Sequence, residues 1–344
     1  MKFNKILVEK DVLDLPQTEQ ILRNLKRTKE DVHLIDQVDK IFGRVRKPYL
    51  EKRNNLQLFI GKKRGQLIKR APNAYGTIGE PHYYYIHTFN CPYECQYCYL
   101  QGHFASPDIV FFVNHDEIGE KIKTETEAEL KRNPHLKIWF HGGEFSDSLI
   151  LSHITEELPF YFDLFSKLPS AILELRTKSV NIQALLKESP LPNIITSFSL
   201  STAQAVKDFD LLTPPLKTRI QIIKKLQTLN YPVAIHFDPI ILTPNVIEDY
   251  QELFDELNKA IDLSKVSYFS LGVVRFTKKV YQQVKIHYPD SDLISPASYL
   301  QKGHDNIVRY PRPIRRNILK EIFQLLVSKN VPPEKIYWCM EEEN

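Results

Sequence analysis

Three of the four cysteines in this 344-residue chain are Cys91, Cys95 and Cys98. They fall in the run Phe89-Asn90-Cys91-Pro92-Tyr93-Glu94-Cys95-Gln96-Tyr97-Cys98-Tyr99-Leu100. Thiolates at spacing x3 then x2 can wrap one corner of a cube of iron and sulfide. A [4Fe–4S] cluster usually takes four cysteines, so three local ones leave an iron open to a small molecule. Cys339 is the only other thiol; as a fourth ligand it would close the cluster into an electron-transfer centre. Zinc is the alternative, because His87 and His103 flank the group, although zinc knuckles normally use two cysteine pairs or cysteines with histidines. A secreted disulfide scaffold would need more cysteines, more evenly spread.

Elements that could position these thiols follow from the apolar pattern. Residues 12–42 carry Leu13, Leu15, Ile21, Leu22, Leu25, Val32, Leu34, Ile35, Val38 and Ile41 at spacings that predict one helical face. The run Leu56-Gln57-Leu58-Phe59-Ile60 reads as a strand entering a turn at Gly61. From His82 onward, strand, loop and helix repeat. Strands are expected at 83–88, 136–141, 172–177, 194–200, 233–241 and 266–274, and helices at 116–132, 148–167, 180–188, 216–229, 246–260 and 313–329.

Six alternating units point to parallel βαβ connections. They are too few for a closed eight-unit barrel. The expected fold class is therefore α/β, a partial (β/α)6 barrel with a helical and basic N-terminal extension; an open doubly wound sheet is the alternative. Three regions are expected: a helical and basic segment 1–80, the barrel 81–280, and a helical C-terminal extension 281–344. Chemistry in such a barrel belongs at the C-terminal ends of the strands.

Cys-x3-Cys-x2-Cys after the first strand of a partial α/β barrel, with the aromatic Tyr97 before the last cysteine, resembles the radical S-adenosylmethionine (SAM) superfamily. The stretch Cys98-Tyr99-Leu100-Gln101 narrows the resemblance to the spore photoproduct lyase family, enzymes that reverse a methylene-bridged thymine dimer in DNA. Ser146-Asp147, Thr177-Lys178, Phe198-Ser199 and Pro239-Ile240 follow in matching order, so the resemblance covers roughly residues 40–280. It implies Cys91, Cys95 and Cys98 as cluster ligands and SAM as the molecule on the open iron. One electron from the reduced cluster then cleaves SAM to methionine and a 5′-deoxyadenosyl radical. By the same resemblance Ser146, Lys178 and Ser199 contact SAM, Asp238 sits near the adenine, and Tyr97 and Tyr99 stand beside the cluster and the radical path.

One departure stands out. That family carries a hydrogen-donating cysteine two residues before its Ser-Asp pair, and here the position is Glu144. A carboxylate holds no weakly bound hydrogen for a carbon radical. Gly142-Gly143-Glu144 instead resembles the motif of many other radical SAM enzymes, in which the glycines admit SAM and the acid holds its amino group. The substrate is therefore open between a DNA photolesion and a peptide, RNA or metabolite; a non-enzymatic iron–sulfur or zinc DNA-binding protein is the third reading.

Net charge is only +4, but its distribution is uneven. Residues 44–70 hold ten lysines and arginines against the single acid Glu51, and a second basic run spans Arg309-Tyr310-Pro311-Arg312-Pro313-Ile314-Arg315-Arg316. Cations interleaved with Tyr49, Phe59 and Tyr310 suit phosphates and displaced bases, so both runs are expected to contact DNA. A cellular electron donor is the other expected partner. Apolar stretches are too short to span a bilayer, and the N-terminus has no apolar core of secretory length, so a cytoplasmic protein is expected.

Overall fold

The computed structural model describes residues 2–72, 79–295 and 298–341. The chain forms two compact units. The first comprises the N-terminal segment through Pro72 with Gly79–Pro92 and Phe104–Ile194. The second comprises Tyr93–His103 and the chain from Ile195 onward.

In the first unit, strands His82–Tyr85, Ile138–His141 and Ala171–Thr177 pair in parallel, and Ile68–Arg70 runs antiparallel to the first of them. Alternation along these strands sorts side chains onto two faces. Tyr83 meets Glu129 of helix His115–Arg132, and Tyr85 stacks toward Tyr161 of helix Leu158–Ser166. The alternate positions His82, Tyr84, Trp139, His141 and Glu174 share the opposite face. Such polarity on a barrel-type strand marks the side where chemistry can be built.

In the second unit, Ile194–Ser199, Val233–Ile240, Phe269–Val273 and Ile336–Trp338 form a parallel series. Helix Val246–Ala260 covers it with Val246, Tyr250, Leu253, Phe254 and Leu257, an apolar stripe at helical spacing, while Glu248 and Asp249 sit favourably in its first turn. Among the described residues no helix is long and apolar enough to cross a membrane.

Several expected elements differ. The helix predicted over 12–42 is confined to Pro16–Asn24. Lys26 adopts a left-handed backbone (φ 55°), a capped 3-10 turn follows at Lys29–Asp31, and His33–Ile35 pairs in parallel with Lys5–Glu9. Leu34 and Ile41, assigned to a buried helical face, are 48% and 44% exposed. The N-terminal region thus contributes a sheet: His33–Ile35, Lys5–Glu9, Gln57–Gly61 and Ile109–Phe112 are parallel, with Thr88–Phe89 antiparallel at the edge.

The expected helix 148–167 is two pieces, Ser152–Thr155 and Leu158–Ser166, divided at Glu156 with φ 49° just before Pro159. Over 180–188 only the turn Leu185–Lys187 is helical. The C-terminal segment adds Gln301–Lys302, Ile307–Arg309 and Ile336–Trp338 as strands around helix Arg312–Ser328.

Candidate active site

Cys91 follows directly on a residue locked in place. Asn90 adopts φ 64°, a conformation that asparagine tolerates better than most side chains, and it is 2% exposed. Its side-chain amide donates to the carbonyls of Ser106 and Asp108, each at 2.7 Å. The Ser146 hydroxyl donates to the Asn90 carbonyl at 2.6 Å, and Lys52 Nζ donates to the Cys91 carbonyl at 3.3 Å. Ser146 therefore braces the backbone before the first cysteine.

The loop after strand Ile138–His141 needs both its glycines. A Cβ at Gly142 would lie 2.6 Å from the Tyr85 hydroxyl, and one at Gly143 would lie 2.8 Å from the Arg176 carbonyl. The Gly142 N–H is bound to the Glu174 carbonyl at 3.0 Å. Behind the loop, His82 and His141 rings approach at 2.9 Å between nitrogens, and His141 Nδ1 is bonded to the fully buried Glu174 carboxylate. Asp147 then ties this loop to the next strand end. It accepts from the Leu149 and Ile150 N–H groups at 3.0 Å, and from the Thr177 hydroxyl and the Lys178 N–H at 2.7 Å. Burial pushes the Asp147 carboxyl above its ordinary range, and these four donors offset that only in part. Glu144 and Lys178, half-buried, sit on backbone set by these contacts.

In the second unit, Glu94–Cys95 pairs antiparallel with Asp210–Leu211, and the Gln96 N–H binds the Phe209 carbonyl at 2.8 Å. The Cys98 N–H donates to the Cys95 carbonyl at 3.0 Å, a tight turn that carries both thiols on one short loop. Tyr97 OH donates to Asp210, whose other oxygen pairs with Arg219 at 3.1 Å, both charged groups being inaccessible to water. Arg219 also donates to the Ser199 carbonyl at 3.2 Å. Burial, reinforced by the Asp210 charge, pushes the Tyr97 hydroxyl well above its usual range. Tyr99 lies edge-on to His103 with ring centres 5.6 Å apart.

At the ends of the neighbouring strands, Asp238 takes a two-pronged contact from Arg275 at 3.0 and 3.2 Å. Gly272 makes room for it, since a Cβ there would lie 2.6 Å from the Asp238 carboxyl carbon. Arg275 also reaches Cys339 Sγ at 3.7 Å.

Sequence reasoning missed Asn90, Lys52, Asp210, Arg219 and Arg275. An asparagine immediately before a ligand-type cysteine is a usable signal. Arg219, one of four cations on the helix Leu216–Thr228, carries none. The reading of the basic runs also changes. Arg64 pairs with the buried Glu9 at 2.7 Å, Lys47 with Asp108 at 2.7 Å, and Arg315 with Glu341 at 2.7 Å. Much of this charge is structural.

The donor set suits an iron–sulfur cluster: three thiols, no disulfide among them, two half-exposed and one buried. Among the described residues no group of three Cys, His, Asp or Glu side chains is placed to hold a single metal ion.

Comparison with known proteins places this arrangement. The spore photoproduct lyase family model matches residues 2–338. Spore photoproduct lyase from Bacillus subtilis is 29% identical over 209 residues, which is 59% of this chain and 59% of that protein. The Clostridium acetobutylicum spore photoproduct lyase is 25% identical over 299 residues, 85% of this chain and 84% of the relative. A spore photoproduct lyase variant solved with bound AdoMet and dinucleoside spore photoproduct shares the fold, with TM-score 0.81 and 18% identity over 99% of both chains. The expected α/β partial barrel of radical SAM type is the fold this likeness carries. The family match runs from the N-terminal sheet through the strand that carries Trp338, and the chain belongs to the spore photoproduct lyase family.

Proposed function

We propose that this protein is a radical SAM lyase that repairs a thymine photolesion in DNA, with Cys91, Cys95 and Cys98 as the cluster ligands and residues 81–280 as the catalytic barrel. The observation that carries the reading is the bracing of the cysteine loop. The Asn90 and Cys91 carbonyls are each held by a side chain from elsewhere, and Cys95 is held in a strand pair. Backbone held this way before any ligand arrives is what pre-organises a site. When bound, a three-cysteine cluster supplies the electron that cleaves SAM to methionine and a 5′-deoxyadenosyl radical.

The chain's own residues do the rest. Glu144, on a loop anchored through Gly142 and Asp147, receives the SAM amino group. Lys178 and Ser199, at strand ends, would be further SAM contacts, Asp238, held by Arg275, would lie with its backbone near the adenine, and Gly142 and Gly143 would let the backbone come close. Ser146 acts on SAM indirectly, through Asn90. Tyr97 and Tyr99 line the radical path, Tyr97 with its proton kept in place by burial and Asp210. DNA contact falls to the exposed cations of the two basic runs, Arg44, Arg46, Arg53, Lys69, Arg312 and Arg316. An intracellular reductant and a cytoplasmic setting complete the reading.

The deciding experiment is an anaerobic assay of the reconstituted, reduced protein with SAM and the dinucleoside spore photoproduct, following formation of thymidine by chromatography. Thymidine formation is expected. SAM cleavage without any thymidine formation would overturn the lesion assignment. It would favour the second reading, a radical SAM enzyme on another substrate, which the carboxylate of Glu144 in place of a thiol supports.

A sharper test addresses Glu144 itself. Losing one charged hydrogen bond to an ammonium costs about 1.5–3 kcal/mol, so Glu144→Ala should raise the SAM concentration for half-maximal 5′-deoxyadenosine formation at least about tenfold. Unchanged SAM dependence with a shifted product distribution would place Glu144 on the substrate instead.

A further inference from the structure

One cation of the basic segment is not on the surface. Lys52 lies on the short 3-10 helix Tyr49–Arg53 and is 6% exposed. Its ammonium sits 3.9 Å from the centre of the Tyr49 ring and donates to the Cys91 carbonyl at 3.3 Å. Lysine is among the residues least often buried, and it is kept inside a protein only where its charge and protons find compensation. An aromatic face is one such partner and a carbonyl oxygen another. Here the carbonyl belongs to the residue whose thiol would carry one iron of the cluster.

We propose that Lys52 is a positioning residue for the cluster and sets its reduction potential; this rests on the reading of Cys91 as a cluster ligand. Two effects combine. Geometrically, Ser146 holds the Asn90 carbonyl and Lys52 holds the Cys91 carbonyl, so the peptide groups on both sides of the Cys91 α-carbon are pinned from outside the loop. Electrostatically, one-electron reduction adds a negative charge to a cluster that three thiolates already make anionic. A buried cation bonded to the Cys91 carbonyl stabilises the reduced form more than the oxidised form. The potential of an iron–sulfur centre is set by such local charge, hydrogen bonding and exposure. Lys52 therefore makes the cluster easier to reduce, which is the condition for SAM cleavage to begin.

The test is an electron-paramagnetic-resonance redox titration of the reconstituted full-length protein with dithionite and mediator dyes. Lys52→Gln keeps an N–H for the carbonyl but removes the charge. At a fixed potential its reduced-to-oxidised ratio should fall about tenfold, equivalent to about 59 mV for one electron. Lys52→Arg keeps the charge and should titrate close to the parent. Tyr49→Leu removes the ring beneath the ammonium and should shift the potential in the same direction as Lys52→Gln. That second route keeps the test open if Lys52→Gln takes up no cluster. A potential unchanged in Lys52→Gln or Tyr49→Leu at full iron content would overturn the proposal. Absence of iron and sulfide from the parent protein would instead bring down the cluster reading beneath it.

Discussion

Cys98→Ala is expected to yield a folded protein without the brown [4Fe–4S] absorption and without 5′-deoxyadenosine formation on reduction with SAM. A three-thiolate cluster has no spare ligand, and the fourth iron position is the one SAM needs. The substitution is mild for the fold. The loop contact at Cys98 is a backbone N–H to the Cys95 carbonyl, which alanine keeps, and the side chain is only half-buried. Circular dichroism and the thermal midpoint should therefore stay near those of the parent while iron content and activity vanish together. Full 5′-deoxyadenosine formation by the variant would sink the cluster assignment. Near-stoichiometric zinc in the anaerobically purified parent would instead support the structural-metal alternative.

The second large effect concerns acid. His87 and His115 are each 4% exposed, and among the described residues His87 Nδ1 and His115 Nε2 have no hydrogen-bond partner. His115 Nδ1 meets the Tyr161 hydroxyl at 3.0 Å. Burial pushes His87 down to about 3, with His115 adding to it, and burial pushes His115 down to about 4. The ordinary value is about 6.5, so below that pH the unfolded chain binds protons that the folded chain refuses. Stability contributed by the neutral imidazoles is full above pH ~6.5 and drains away as pH falls toward the folded values.

Glu157 works in the opposite sense. Burial raises its carboxyl to about 7, the Thr155 hydroxyl partly offsetting this, so the folded state takes up its proton first and gains stability as pH falls from about 7 toward the ordinary 4.5. Below that point both states hold the Glu157 proton and the two histidines act unopposed, so the loss should steepen. Urea unfolding at pH 6 and pH 4.5 should show the parent losing about 2 kcal/mol more than a His87→Phe variant, whose ring can still stack on Tyr85. Equal losses in both proteins would refute a role for His87.

How much of this was legible beforehand depended on distance along the chain. The six barrel strands were each expected within a few residues of their observed bounds, because each is a short apolar run whose neighbours punctuate it. The helices Val246–Ala260 and Arg312–Ser328 were likewise expected almost residue for residue. The N-terminal region was misread as helical because ten apolar residues there fit a helical spacing. A left-handed turn at Lys26 and pairing of His33–Ile35 with Lys5–Glu9 override that local preference. Strand pairing between distant segments leaves no mark in a window of neighbouring residues.

The three cysteines, their spacing and the Gly-Gly-Glu run were determined by the sequence by itself, since that chemistry depends on residue type at short separation. Only the tertiary structure decided what supports them. Tyr97 meets Asp210 across 113 positions, Ser146 reaches Asn90 across 56, and Lys52 reaches Cys91 across 39. It also decided which cations are surface and which are spent inside, because a lysine or arginine reads the same in sequence whether it faces water or a buried carboxylate. Arg64 lies in a run that looks made for phosphate, and folding turns it onto Glu9, a buried carboxylate that also accepts from the Val38 and Lys62 N–H groups, because a buried charge is costly unless an opposite charge offsets it.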